Sequence, residues 1–258
     1  MSYFACKKLF AGYGKKRVIK NVSISFEKSE ITSIIGPNGS GKSTMLKAMG
    51  RIIKPFSGGV FINGKVSSEL SDCDIAKMVG ILPQSPSAPA DIPVHCLVAY
   101  GRNPHKRMLS RMDSSDRETI EWAIESTGLK DKRFARLGQL SGGERQRAWI
   151  AMSLTQQPEI LLLDEPTTYL DIHHQFEVLE LLKKLNQDCG LTVVMVLHDL
   201  NLAARFSDRI IAFKSGEICC DGNPEDILSE GNISEIFSVR SKVVSVEDSL
   251  IAVPMGVV

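Results

Sequence analysis

The stretch GPNGSGKST, Gly36–Thr44, places a lysine and two hydroxyls directly after a glycine-rich loop. Glycine lets main chain pass close to an anion, so Gly36, Pro37, Asn38, Gly39, Ser40 and Gly41 can wrap a phosphate with backbone N–H groups. Lys42 then reaches the β and γ oxygens, the Ser43 hydroxyl can ligate Mg2+, and Thr44 completes the motif. The pattern G-x-x-x-x-G-K-[ST] carries this chemistry only between a strand and a helix. Here ITSIIG (31–36) reads as the strand, and a helical pattern runs from about Gly41 to Ile52.

A second run, LSGGERQR at Leu140–Arg147, opens a helix on two glycines. Glycine is a poor helix former, but bare N–H groups at a helix start attract an anion. Two carboxylates follow the apolar run ILLL (160–163). Asp164 can reach Mg2+ through water, and Glu165 can accept a hydrogen bond from an attacking water. Gln84 ends VGILPQ, where its amide can touch Mg2+ or that water. His198 ends VVMVLHD at the same edge of a sheet as Asp164 and can donate to a γ-phosphate oxygen. Tyr13, in FAGYGKKR, offers an aromatic face to an adenine ring.

These residues need a scaffold that brings strand ends together. EILLLDEP (159–166) and LTVVMVLHD (191–199) are continuous apolar runs ending in polar residues, as parallel strands covered on both faces should be. Between them 172–188 repeats Phe176, Leu179, Leu182 and Leu185 at helical spacing, a crossover helix. A doubly wound α/β core results, with ligand chemistry at the carboxyl ends of its strands. Period-two patterning in VIKNVSISF (18–26) and GGVFING (58–64) predicts a small antiparallel β subdomain. SPSAPADIP (85–93) opens a stretch of broken helical patterns, an inserted helical lobe. The expected division is a core of 1–84 and 158–258 with a lobe of 85–157 carrying LSGGERQR. DRIIAFKSGEICCDG reads as a hairpin, followed by a short helix capped at Asn223 with Pro224 in its first position.

Composition narrows the classes. Of the 258 residues 43% are hydrophobic and 24% charged, which suits a soluble globular chain with a sizeable core. A net charge of +1 gives no reason to expect nucleic acid as partner. No apolar run approaches the ~20 residues of a membrane span, and the start lacks an apolar signal core, so the chain is expected in the cytosol. Six scattered cysteines without CxxC spacing predict free thiols rather than a disulfide framework or a metal site. Cys219 and Cys220 are expected to alternate, one buried and one facing solvent. His95 and Cys96 are expected to point in different directions. The basic stretch GRNPHKRMLSR (101–111) reads as a solvated loop or as a contact with a membrane subunit or anionic lipid.

Tyr13, GPNGSGKST, Gln84, LSGGERQR, ILLLDEP, YLD ending at Asp171 and His198 together resemble the nucleotide-binding subunit of ATP-binding cassette (ABC) transporters. The resemblance runs from Tyr13 to about Gly222. It implies a P-loop NTPase fold binding ATP and Mg2+, with an aromatic A-loop at Tyr13, Walker A at 36–44 and a Q-loop at Gln84. It further implies a signature at 140–144, Mg2+ held by Ser43, Gln84 and, through water, Asp164, a catalytic Glu165, a D-loop around Asp171 and a switch histidine at His198. In the family two copies sandwich ATP head to tail, so that Ser141, Gly142 and Gly143 of one chain close over the γ-phosphate held by Lys42 of the other. Many relatives carry glutamine where this chain has Glu144. TTYLDIHHQFEVLELLKKLN (167–186) and VAYGRNPH (98–105) look like importers of iron chelates, with heme and cobalamin importers close by. Implied partners are polytopic permease subunits, met by residues 85–105, and an extracytoplasmic substrate-binding protein beyond them. The implied place is the cytoplasmic face of the cell membrane. A soluble ABC-type ATPase acting on DNA or ribosomes would carry a long coiled coil or a second cassette, and a P-loop kinase would leave LSGGERQR unexplained.

Overall fold

A computed structural model of the chain describes residues 3–105, 112–246 and 249–258. The first half runs β1 (Phe4–Tyr13), β2 (Lys16–Phe26), β3 (Ile31–Ile35), α1 (Lys42–Met49), β4 (Ser57–Ile62), β5 (Lys65–Val66), α2 (Asp72–Met78), β6 (Val79–Leu82), α3 (Val94–Ala99) and α4 (Ser114–Ser126). The second runs α5 (Gly142–Leu154), β7 (Ile160–Asp164), α6 (Ile172–Cys189), β8 (Thr192–Val196), α7 (Leu200–Phe206), β9 (Arg209–Lys214) and β10 (Glu217–Gly222). It ends with α8 (Pro224–Ile227), α9 (Glu230–Phe237), β11 (Val239–Val246) and β12 (Ser249–Val257). One compact unit comprises Met1–Glu69 with Thr192–Val258, and the other is Leu70–Leu191.

In the first unit β1 pairs antiparallel with β2 and β4, and β4 with β5, which is the expected β subdomain. Strand β3 lies parallel to both β8 and β9, and β10 turns back antiparallel on β9. Every residue of β3 (ITSII) and β8 (TVVMV) is buried, the hydroxyl residues Thr32, Ser33 and Thr192 included. Helix α1 ends at Met49, three residues short of the expected Ile52, because Arg51 adopts a left-handed φ of 58°. Helix α8 is capped by Asn223 with Pro224 first, as its sequence predicts. Patterning did not disclose α7, α9 or the β11–β12 hairpin. Asn201 on α7 holds that hairpin at two points, donating to Ala252 O and accepting from Ala252 N.

In the second unit β6 and β7 are parallel. The buried face of α6 is Val178, Leu179, Leu182 and Leu185, and Phe176 is only half-buried. Helices α3, α4 and α5 pack on one another. Arg102, expected in a solvated or membrane-facing stretch, is instead buried. It donates to Asp116 at 2.7 Å, to Thr155 O at 2.8 Å and to Gln157 at 3.0 Å. The rest of that basic stretch, 106–111, lies outside the described residues. Among the described residues no helix is long and apolar enough to cross a membrane.

All six cysteines are free thiols. Cys219 and Cys220 do not alternate between core and solvent, because the register slips between Ile218 and Cys220 and leaves Cys219 in a bulge. Both are half-buried. His95 and Cys96 also differ from expectation: Cys96 Sγ lies 3.3 Å from His95 Nε2, while His95 Nδ1 lies 3.1 Å from Arg133 O.

Candidate functional site

In the first unit the loop after β3 reaches left-handed φ values at Gly36 (141°), Gly39 (77°) and Gly41 (110°). A side chain on Gly36 would collide with Phe213 O, and one on Gly41 would come within 2.8 Å of Ile19. The loop is thus bent close against β9 and β2. Lys42 is 5% exposed, and its Nζ donates to Gly36 O at 2.8 Å and Pro37 O at 3.0 Å. The buried Ser40 Oγ has no hydrogen-bond partner among the described residues. Helix α1 has neither a side-chain cap at Gly41 nor an acid in its first turn, whereas α2, α4, α5 and α6 are all capped by side chains. An uncapped helix start behind a buried cation and an unsatisfied hydroxyl fits a phosphate chain. Tyr13 ends β1, opposite Lys16 across a tight turn, with 49% of its surface exposed and its ring available to stack. His198 follows β8 by two residues and is exposed, with Asp199 behind it capping α7.

The second unit gathers the carboxylates. Asp164 closes β7 and is 4% exposed. Glu165 turns the chain out of the strand at a φ of 57°, which costs a non-glycine residue about 1 kcal/mol and aims its carboxylate away from the strand axis. Its Oε2 accepts from Gln84 Nε2 at 2.6 Å and from Thr168 Oγ1 at 3.0 Å. Gln84 and Glu165 are therefore brought together, with the Gln84 amide engaged on the carboxylate. Thr168 escaped the sequence reading, although its place three residues after Glu165 in a turn was a usable signal. Gln84 and Asp164 of this unit, like the Ser43 hydroxyl of the other, each offer the kind of oxygen donor that a hard cation such as Mg2+ takes.

The LSGGERQR run does open a helix, α5. Ser141 Oγ accepts from Glu144 N at 3.2 Å while Glu144 Oε2 accepts from Ser141 N at 2.9 Å, a reciprocal capping box. The spacing S-x-x-E was the signal for it. The helix therefore starts on two glycines behind a serine that caps it, with Gly143 buried. The Ser141 N–H first, then Lys132 nearby, hold the Glu144 carboxyl below the usual glutamate range. Asp171 caps α6 by accepting from His174 N at 2.9 Å, and its carboxyl is held below the usual aspartate range by His174. Around it Tyr169 and Ile172 are apolar and exposed, Tyr169 at 91%.

Comparison with known proteins gives the site a family context. The ABC transporter family model matches residues 19–168. The iron(3+)-hydroxamate import ATP-binding protein FhuC of Bacillus subtilis (strain 168) is 46% identical over 245 residues, covering 95% of this chain and 91% of its own. The ferric enterobactin transport ATP-binding protein FepC of Escherichia coli (strain K12) is 40% identical, covering 97% of this chain and 93% of its own. Among solved structures, a dimeric bacterial ABC transporter cassette superposes with a TM-score of 0.75 at 32% identity, covering 86% of this chain and 98% of that one.

Proposed function

The chain belongs to the ABC transporter family, and from that premise we propose that it is the ATP-hydrolysing subunit of a bacterial importer of iron(III) chelates. The observation that carries the cargo is the near full-length similarity to siderophore-import ATP-binding proteins. What supports the chemistry is a glycine-bent phosphate loop in one unit and, in the other, a carboxylate at the end of a buried strand.

Residues 36–44 cradle the phosphates of ATP, Lys42 leaves its two backbone carbonyls for the β and γ oxygens, and Tyr13 stacks on the base. Ser43, Gln84 and, through water, Asp164 would hold Mg2+, which would supply charge neutralisation to the phosphates. Glu165 accepts a hydrogen bond from the attacking water once Gln84 releases it, and His198 donates to a γ-phosphate oxygen. Residues 1–84 and 158–258 form the nucleotide-binding core, and 85–157 present the signature. Ser141, Gly142, Gly143 and Asp171 serve the nucleotide of a second copy, so two chains and two nucleotides make the working unit. The dimer sits peripherally on the cytoplasmic face of the membrane, against polytopic permease subunits that receive cargo from an extracytoplasmic binding protein.

Deleting the gene in its host should abolish growth on a ferric hydroxamate as sole iron source. Wild-type chain should restore it and Lys42→Ala should not. Undiminished growth of the deletion strain, with no other importer induced, contradicts the assigned cargo.

A further inference from the structure

Helix α5 and the turn into α6 meet at a contact that the roles above leave unused. Gly143 is buried, and a side chain there would collide with the imidazole of His174, whose Cγ would lie at 2.7 Å and Cβ at 3.0 Å. Glycine at 143 is therefore demanded by a neighbour 31 positions later as well as by any anion. The same imidazole is hydrogen-bonded: Nδ1–H donates to Asp171 Oδ1 at 2.7 Å, alongside the bond from the His174 backbone. Both bonds favour the carboxylate form of Asp171. Gln175 braces the turn by donating to Leu170 O at 3.0 Å, and Leu170 in turn lies 3.3 Å from where a side chain on Gly142 would begin. One turn further on, Arg147 of α5 donates to Glu177 of α6 at 2.6 Å.

We infer that His174 is a positioning residue that locks the start of α5 and the Asp171 turn into one rigid piece. This rests on the proposed function, in which Ser141–Gly143 and Asp171 both face the nucleotide of the second chain. A rigid link means that the two surfaces are presented together, at a fixed spacing, rather than found separately on each closure. The ring does this with two edges: carbon packs on Gly143 and nitrogen holds Asp171. Both edges are taken up by neighbours in the same unit, and His174 acts through them.

The two edges can be separated. His174→Asn keeps a donor for Asp171 and loses the ring, His174→Ala loses both, and Gly143→Ala keeps both while filling the contact. Amide hydrogen exchange on the nucleotide-free chain reads the link directly, with β3 and β8 as controls for folding. His174→Ala should speed exchange about tenfold in both 140–146 and 168–175, while His174→Asn should spare 168–175 and still loosen 140–146. In a Glu165→Gln background, Gly143→Ala should lose ATP-driven dimerisation, and the double variant Gly143→Ala/His174→Ala should recover part of it. Unchanged exchange in 140–146 on removing His174 overturns the inference, as does a Gly143→Ala chain that dimerises like its parent. If the parent Glu165→Gln chain forms no ATP-bound dimer, the proposed function fails, and the exchange result still decides the link.

Discussion

At the scale of single residues, the proposed chemistry concentrates on Glu165, held by Gln84 and Thr168 at a bend with positive φ. Replacing Glu165 by Gln keeps the size and removes the charge. Single-turnover measurements should find ATP binding intact and hydrolysis slower by about 10²–10⁴-fold, the usual worth of a positioned base. Hydrolysis near the wild-type rate would remove Glu165 from its role. Tyr13 is half-exposed at a strand end, so Tyr13→Ala should leave folding unchanged and weaken ATP binding by about 1–3 kcal/mol, the value of one stacking face. Equilibrium binding to a fluorescent ATP analogue checks this, and an unchanged affinity would move the base elsewhere.

At the scale of elements, the start of α5 carries its own pH dependence. The Glu144 carboxyl is depressed below its unfolded value, so its stabilisation is complete above the ordinary glutamate range and is lost as pH falls through the lowered folded value. Amide exchange of 141–145, corrected for intrinsic rates, should therefore accelerate as pH drops from neutral to about 3, and Glu144→Gln should flatten that dependence while preserving the cap. A second element-scale prediction concerns the buried pair that ties the segment after α3 to α4. Arg102→Ala removes the guanidinium that lies 2.7 Å from the buried Asp116 carboxylate, and urea unfolding should report a loss of about 3–5 kcal/mol. A loss below ~0.5 kcal/mol, the scale of an ordinary surface change, would mean that the stretch is solvated after all. Elements were legible where burial is simple: β3, β7 and β8 are buried along their whole length, and their sequences say so. Strand β1 was not, because register shifts between Cys6 and Leu9 and again around Ala11 destroy its alternation. The same kind of shift misplaced Cys219. Helix α9 has only eight residues, and β11 and β12, though eight and nine residues long, each bury a single residue fully, so no period shows in their sequences.

At the scale of the whole molecule, the site was legible as motifs in order and illegible in its contacts. Walker A, the Asp164–Glu165 pair and LSGGERQR announce themselves by composition and spacing. The Gln84–Glu165 bond spans 81 positions and the Gly143–His174 contact spans 31, and no periodicity encodes such pairs. The central claim is that each nucleotide is shared between two chains, Lys42 on one side and Ser141 on the other. Mixing Lys42→Ala chains with Ser141→Ala chains tests it directly. In a mixed dimer, sharing gathers both lesions into one composite site and leaves the other intact. Sites confined to single chains would instead leave one lesion in each. The measurement is ATP trapped in proven heterodimers, a readout that does not depend on both sites hydrolysing. The account predicts more trapped ATP in the mixed dimer than in either homodimer, and heterodimers that trap no more than either parent would contradict it.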